Sequence, residues 1–545
     1  MFGNRPWKMA VGTVGAAALA LSVAACGGGS DEADSASNSI VIGIAEPKHL
    51  IPSNTTETSG AQVLAALFYP LVDFDAQNQP IEVAAESITS DDNKVWTVKL
   101  KPGFTFHNGE PVVADNYIEA WNYGAYAPNA QEASYFYERI DGYADLQSKD
   151  PDGEGPQKAP EPKAKTLTGL KKVDDSTFTV TLSTPFAGWK SVMGYTAFHP
   201  LPKSAWSAPG VLAQGFEDAI VGNGPFKMKG TWAHDSKIVV EKVQGFKGTV
   251  PKVDGVEFKI YQDQKAEYAD LVAGNDDVQT QIPIESLASA PTDLGERFKR
   301  SKSSSFQFVG FPTFQPEFAK VEIRKALSMA IDRKEMTDQI FLGSQQPATS
   351  FVSPAVAGFR ENTCGANCEF NPTEAKKLWD ANNGPKKIQI TYNADGGHKT
   401  WVDAMCNQVK ASLQIECVGT GEPKFADLLT KVEKKQPVGL IRLGWVMDYP
   451  LMENYLGPLY STTGSSNYYG FSNTAFDNLL KEGSAAKTTD DAIAKWRAAE
   501  DILAKEMPVI PLRFGQNSFG HSEKVTNVEV DIFTKVDLYK IEVKK

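Results

Sequence analysis

Two periodicities alternate along this chain from residue 40 to its C-terminal region, and no other feature narrows the possible folds as much. Ile40–Ile44, Val95–Lys101, Thr177–Leu182, Ile238–Lys242 and Val256–Tyr261 are short runs rich in β-branched and alternating apolar residues, the mark of half-buried strands. Ser59–Tyr69, Asp115–Tyr126 and Val321–Phe341 instead place apolar residues three and four apart, as helices do. In the last of these Ile323, Ala326, Leu327, Ala330 and Ile331 fall on one face. Strands and helices interleaved from end to end predict an α/β protein. Ser148–Lys165, with four prolines, many charges and no apolar period, reads as a surface loop or insertion. A length of 545 residues exceeds what one core serves, so roughly two to four domains are expected. No internal repeat is visible.

Charge then removes whole classes of partner. Asp and Glu outnumber Lys and Arg 67 to 55, giving a net charge of −12, so the chain carries no basic footprint for nucleic acid or anionic lipid. Its N-terminus is an export signal. Arg5 and Lys8 precede an apolar, Ala-rich run from Met9 to Ala25 that contains no acidic residue. The sequence Val23-Ala24-Ala25-Cys26, followed by Gly27-Gly28-Gly29-Ser30, resembles the lipobox of bacterial lipoproteins. That resemblance implies cleavage before Cys26, diacylation of its sulfur, and attachment to the outer face of a membrane. Residues 1–25 would then be a lipoprotein signal peptide and 26–39 a flexible Gly/Ser/Asp-rich tether.

The other four cysteines suit an oxidising compartment. Cys364 and Cys368 share a loop, Cys406 lies in the helix-like stretch Trp401–Leu413, and Cys417 in the short strand-like run Ile415–Val418. Local pairing, Cys364 with Cys368 and Cys406 with Cys417, is the simplest of three connectivities. A zinc site is disfavoured because CxxxC occurs once with no histidine nearby. No metal and no cofactor are expected.

Several segments together carry a resemblance to a known family. Trp96-Thr97-Val98-Lys99-Leu100-Lys101-Pro102-Gly103-Phe104-Thr105-Phe106-His107-Asn108-Gly109 through Asp115 resembles the signature of the family 5 extracellular solute-binding proteins of ABC importers, which bind dipeptides and oligopeptides. Gly222-Asn223-Gly224-Pro225-Phe226, Val278–Glu285 and Ile323–Arg333 are similar to further segments of that family in the same order. The resemblance spans the chain from about Ile40 onward. It implies a periplasmic-binding-protein type II-like fold, two lobes joined by a hinge, in the large family 5 form with an extra subdomain. On that basis residues 40–72, 215–308 and 509–545 are expected to form lobe I, 73–214 the extra subdomain of lobe I, and 309–508 lobe II, with crossovers near Phe308 and Pro508–Arg513.

The segment with most to say about ligand is Val438–Pro450. It is an apolar run that carries Arg442 and Asp448, which in an extended chain share a face about 20 Å apart and cannot neutralise each other unless the chain bends. In the oligopeptide-binding members the Gly-Trp-x-x-Asp-Tyr motif, here Gly444-Trp445-Val446-Met447-Asp448-Tyr449, supplies the aspartate that pairs with a peptide's α-amino group. The resemblance therefore implies Asp448 as amine anchor, Arg442 as candidate carboxylate partner, Trp445 and Tyr449 as flanking contacts, and Gly444 as the place where a peptide backbone approaches the strand. Thr56–Ser59 occupies the position of the family's other backbone-contacting strand, with Thr58 and Ser59 as contacts. A second basic position of some members is filled here by Glu433.

The resemblance further implies delivery to a permease with cytoplasmic ATPases, by a carrier expected to be monomeric. An enzyme is disfavoured: GxSxG, HExxH and GxxxxGK motifs are missing and six histidines are scattered, so no catalytic residue is assigned. Within the family, an oligosaccharide or nickel chelate is the alternative cargo, the aromatic-rich Tyr455–Phe471 stretch being suited to sugar stacking. A peptide-signal receptor is a third reading.

Overall fold

The computed structural model describes residues 38–148, 159–394, 397–423, 425–436 and 438–544. The leader, Cys26, the tether up to residue 37 and ten residues of the proline-rich insertion lie outside the described residues.

In chain order the strands and helices that position the site begin with β1 (Ser39–Ile44), α1 (Thr58–Leu67), β2 (Ala85–Thr89), β3 (Val95–Leu100), α2 (Ala114–Ala125), β4 (Leu170–Asp174) and β5 (Thr177–Thr181). They continue through β6 (Phe226–Met228), β7 (Lys237–Lys242), β8 (Gly255–Ile260), β9 (Val278–Gln279) and the long β10 (Phe298–Gly310). Beyond it come α3 (Val321–Met329), α4 (Arg333–Gln339), β11 (Gln345–Pro347), β12 (Lys387–Asn393), α5 (Lys399–Leu413), β13 (Glu416–Glu422), β14 (Leu440–Trp445), α6 (Glu453–Tyr460) and β15 (Val509–His521).

An eleven-stranded sheet runs β6-β7-β8-β1-β9-β15-β10-β14-β12-β13, with β11 pairing against β15. Its centre is the antiparallel pair β10 and β15, thirteen residues each, paired from Phe298–Gly520 to Gly310–Val509. This pair carries Phe308 and Pro511 past each other, the two places where crossovers are expected. A separate four-stranded sheet, β2-β3-β5-β4, lies wholly within 73–214, the stretch assigned to the extra subdomain.

Local chemistry explains the elements. The alternation in Val95–Leu100 buries Trp96, Val98 and Leu100 and leaves Val95, Thr97 and Lys99 more exposed. The stripe Ile323, Ala326, Leu327, Ala330 and Ile331 is buried throughout and belongs to a core that also takes Val309, Trp401, Met405, Ile390 and Leu512. One expectation is corrected here: Val321–Phe341 is not a single helix. It breaks after Met329, and Asp332 restarts it by accepting the Glu335 amide at 2.8 Å, an N-cap that competes successfully with helix continuation.

Gly222 and Gly224 have a steric reason to be glycine. A Cβ on Gly222 would stand 1.9 Å from the Leu67 carbonyl oxygen, and one on Gly224 2.5 Å from Phe68 N. The turn they form seats His107, which contacts the Gly224 oxygen at 3.1 Å and accepts from the Gly222 amide at 3.2 Å. His107 is a packing residue, its imidazole pushed down to about 4 by burial. Both local disulfides are present, Cys364–Cys368 and Cys406–Cys417, the second tying α5 to β13.

Candidate functional site

Asp448 lies just past the end of β14, and a turn closed by one asparagine holds it there. Asn454, in the first turn of α6, donates through Nδ2 to Asp448 Oδ2 at 3.0 Å and accepts through Oδ1 from the Asp448 amide at 2.7 Å and from Trp445 Nε1 at 3.3 Å. Tyr135, 313 residues earlier in sequence, donates to Asp448 Oδ1 at 3.3 Å. No cation pairs with this carboxylate among the described residues. Burial, with Glu453 adding repulsion, pushes its pKa up to about 6 against the hydrogen bonds that favour the ionised form.

Around it stands an aromatic wall. Tyr135 packs on Phe136 with ring centres 4.5 Å apart, and Phe136 stacks on Tyr195 at 3.8 Å. Tyr195 feels both Asp448 and Glu57, and its phenol is pushed up chiefly by burial. Behind the wall Arg139 donates to Glu453 at 2.7 Å, Tyr449 donates its hydroxyl to the same carboxylate at 2.7 Å, and the Arg139 guanidinium lies 4.1 Å from the centre of the Phe186 ring.

β14 itself has an open edge. It pairs with β10 from Ile441 to Trp445, but with β12 only at Leu440 and Ile441. Among the described residues no strand pairs with the other edge of Arg442–Trp445, so its backbone groups are placed to receive an extended chain.

The structure brings the predicted residues together unevenly. Arg442, Gly444, Trp445, Asp448 and Tyr449 share one strand and turn, but two of them serve the protein first. The Tyr449 hydroxyl is committed to Glu453, and the space where a Gly444 Cβ would stand is taken by the Gln307 amide, 2.6 Å away at Nε2. Arg442 donates to Asn393 Oδ1 at 3.2 Å and to Gln307 Oε1 at 2.6 Å.

Thr58 and Ser59 depart from expectation. They are the first turn of α1, whose N-cap Glu57 accepts from the Gly60 amide, so the extended stretch ends at Glu57. Thr56 donates to Glu132 at 3.0 Å, which fastens that stretch to the loop leading to Tyr135. Within the aromatic stretch considered for sugar stacking, Tyr455, Tyr460 and Tyr469 are fully buried, with Tyr455 donating to the Ser304 carbonyl and Tyr469 to that of Leu459, while Tyr468 is half-buried. Sequence reasoning missed Tyr135, Asn454 and the Arg139–Glu453 pair. Asn454 had a local signal, an amide side chain just inside a helix start, whereas nothing near Tyr135 announces that it reaches residue 448.

With this geometry in hand, comparison with known proteins places the chain. Residues 79–467 match the family model described as bacterial extracellular solute-binding proteins, family 5 middle. The chain is 26% identical over 505 residues to the oligopeptide-binding protein OppA of Bacillus subtilis, covering 89% of this chain and 88% of that one. It is 24% identical over 496 residues to the glutathione-binding protein GsiB of Shigella dysenteriae, covering 88% and 89%. The unliganded open form of the periplasmic murein tripeptide binding protein MppA superposes with a TM-score of 0.79 at 21% identity, over 93% of this chain and 98% of the other. The family model covers well over half of the chain, and the α/β fold agrees with it: the chain belongs to the family 5 extracellular solute-binding proteins, the binding components of ABC importers.

Proposed function

We propose that this protein captures oligopeptides by their free α-amino group at Asp448 and hands them to an ABC permease while tethered to the outer face of a membrane through lipidated Cys26. The observation that carries the peptide reading is the Asp448 carboxylate, held by neutral donors in a buried setting with no cationic partner among the described residues. An ammonium group there gains an ion pair of the desolvated kind, for which losing one partner costs ~2–5 kcal/mol. The open edge of Arg442–Trp445 adds main-chain hydrogen bonds that every peptide can make, so recognition rests on the amine and the backbone rather than on side-chain sequence.

The relatives support a peptide-like cargo, since OppA is named for oligopeptides and GsiB for glutathione. Lobe I with its extra subdomain and lobe II close over the ligand as a hinge motion about the β10–β15 pair. Tethering keeps the loaded carrier near its permease and raises its effective concentration there. No helix among the described residues is long and apolar enough to cross a membrane.

Native mass spectrometry of the purified protein, followed by calorimetric titration with a mixed di- to hexapeptide pool, tests the reading. Co-purified or titrated peptides are expected. Binding of an oligosaccharide or a nickel chelate with no peptide binding overturns it. Labelling with a radioactive fatty acid, abolished by Cys26→Ser, tests the anchor.

A further inference from the structure

Three arginines among the described residues are almost wholly buried, and one of them is unlike the others. Arg324 and Arg333 are each 4% exposed and fully engaged. Arg324 donates to the carbonyls of Phe318, Ala319, Glu506 and Met507. Arg333 donates to Ser328, Pro511 and Cys368. Arg513 is 5% exposed, yet its Nε and Nη1 are buried without a hydrogen-bond partner, and it pairs with no carboxylate among the described residues. Its guanidinium is held between two rings, 4.3 Å from the centre of Phe341 and 4.8 Å from that of Trp401. Burial, with the neighbouring cation Arg442 adding repulsion, pushes Arg513 down to about 9, so it stays charged at neutral pH.

A buried, charged and unpaired group is destabilising unless something completes it. The sheet register says where that completion comes from. Arg513 on β15 stands opposite Gln307 on β10, and Gln307 stands opposite Gly444 on β14. Residues opposite each other in antiparallel pairs present their side chains on the same face, and Arg442, two residues from Gly444, shares it. The Gln307 Oε1 that accepts from Arg442 at 2.6 Å confirms that placement. Arg513 therefore lies on the sheet face that carries Arg442, in the row that contains the side-chain-free Gly444.

We propose that Arg513 is a ligand-binding residue, its unsatisfied guanidinium donors taking a carboxylate of the bound peptide. This rests on the peptide reading above and deepens it by adding a charge requirement at the end of the ligand away from Asp448. The rings of Phe341 and Trp401 hold the guanidinium in place before ligand arrives, so little side-chain freedom is lost on binding. The carboxylate can belong to the C-terminus or to an acidic side chain, and the chemistry at Arg513 is the same.

The test is calorimetric titration at pH 7 of the wild type, Arg513→Gln and Arg513→Lys with Ala-Ala-Ala, its C-terminal amide, and the C-terminal amide of Ala-Glu-Ala. Arg513→Gln is expected to weaken the carboxylate-bearing peptides by about 30-fold or more while leaving Ala-Ala-Ala amide unchanged. Arg513→Lys should recover part of the loss. Tight wild-type binding of Ala-Ala-Ala but not of its amide identifies the C-terminal carboxylate as the source, and tight binding of Ala-Glu-Ala amide identifies the side chain. Thermal unfolding of empty Arg513→Gln should be no lower than wild type, because the substitution removes an uncompensated buried charge. Equal binding of all three peptides by the wild type, or unchanged binding by Arg513→Gln, overturns the assignment and leaves the peptide reading standing. A wild type that binds none of these peptides overturns the peptide reading, and the assignment with it.

Discussion

On the proposed reading, Asp448 is a side chain that is poor for stability and good for capture. Its pKa, raised from 3.8 to about 6, means that ionising it in the empty folded protein costs on the order of 3 kcal/mol relative to the unfolded chain. The sign follows from the direction: the contribution is most favourable below the unfolded value near 4 and is lost as pH rises through about 6. Asp448→Asn is accordingly expected to raise the thermal midpoint of the empty protein at pH 7 and to weaken a tripeptide with a free amine by about 30-fold or more, checked by calorimetry on the same preparation. An incoming ammonium favours the ionised form. Peptide binding near pH 6 should therefore release a proton, and affinity should fall as pH drops below 6, which titrations in buffers of different ionisation enthalpy will read. The sequence disclosed the aspartate through its motif. It left Asn454 as no more than a local signal six residues on and could not disclose Tyr135, because that second neutral donor comes from a chain segment 313 residues away.

At the level of elements, patterns carried by neighbouring residues were legible and patterns set by caps and distant partners were not. Strand alternation in Val95–Leu100 and the apolar stripe of Ile323–Ile331 are local, and both are found in the folded chain. The break between α3 and α4 was hidden because the apolar period continues across it while the backbone turns at Asp332. Asp332→Ala should lower stability by ~1 kcal/mol in urea denaturation, the ordinary cost of losing an N-cap. The beginning of α1 was legible to within a residue, but the resemblance set an extended backbone over Thr58 and Ser59 that the Glu57 cap does not permit. The Arg139–Glu453 pair joins the stretch assigned to the extra subdomain with the first turn of α6. Arg139→Ala leaves the Glu453 carboxylate buried and unpaired, an expected loss of ~3–5 kcal/mol in chemical denaturation. It also strengthens the repulsion at Asp448, so the pH midpoint for peptide binding should move upward. The Cys406–Cys417 link closes a short loop between α5 and β13. Replacing both cysteines by alanine should cost ~3 kcal/mol and leave amine-dependent binding intact, since neither cysteine touches the site.

Across the whole molecule, the two longest strands, β10 and β15, hold the sheet together at its centre, and the candidate ligand groups are arranged beside them. β14 is hydrogen-bonded to β10, Arg513 projects from β15, and Asp448 sits where β14 ends. If Asp448 anchors the amine and Arg513 a carboxylate, as proposed, the protein reads the two charged groups and the backbone of its cargo. The measurement closest to that claim crosses two changes: wild type and Asp448→Asn, each titrated with one tripeptide bearing a free or an acetylated N-terminus. The account predicts that acetylation and the substitution each weaken binding by about 30-fold or more, and that together they do little more than either alone, because both remove the same ion pair. Equal affinity of wild type for the free and the acetylated peptide would contradict it.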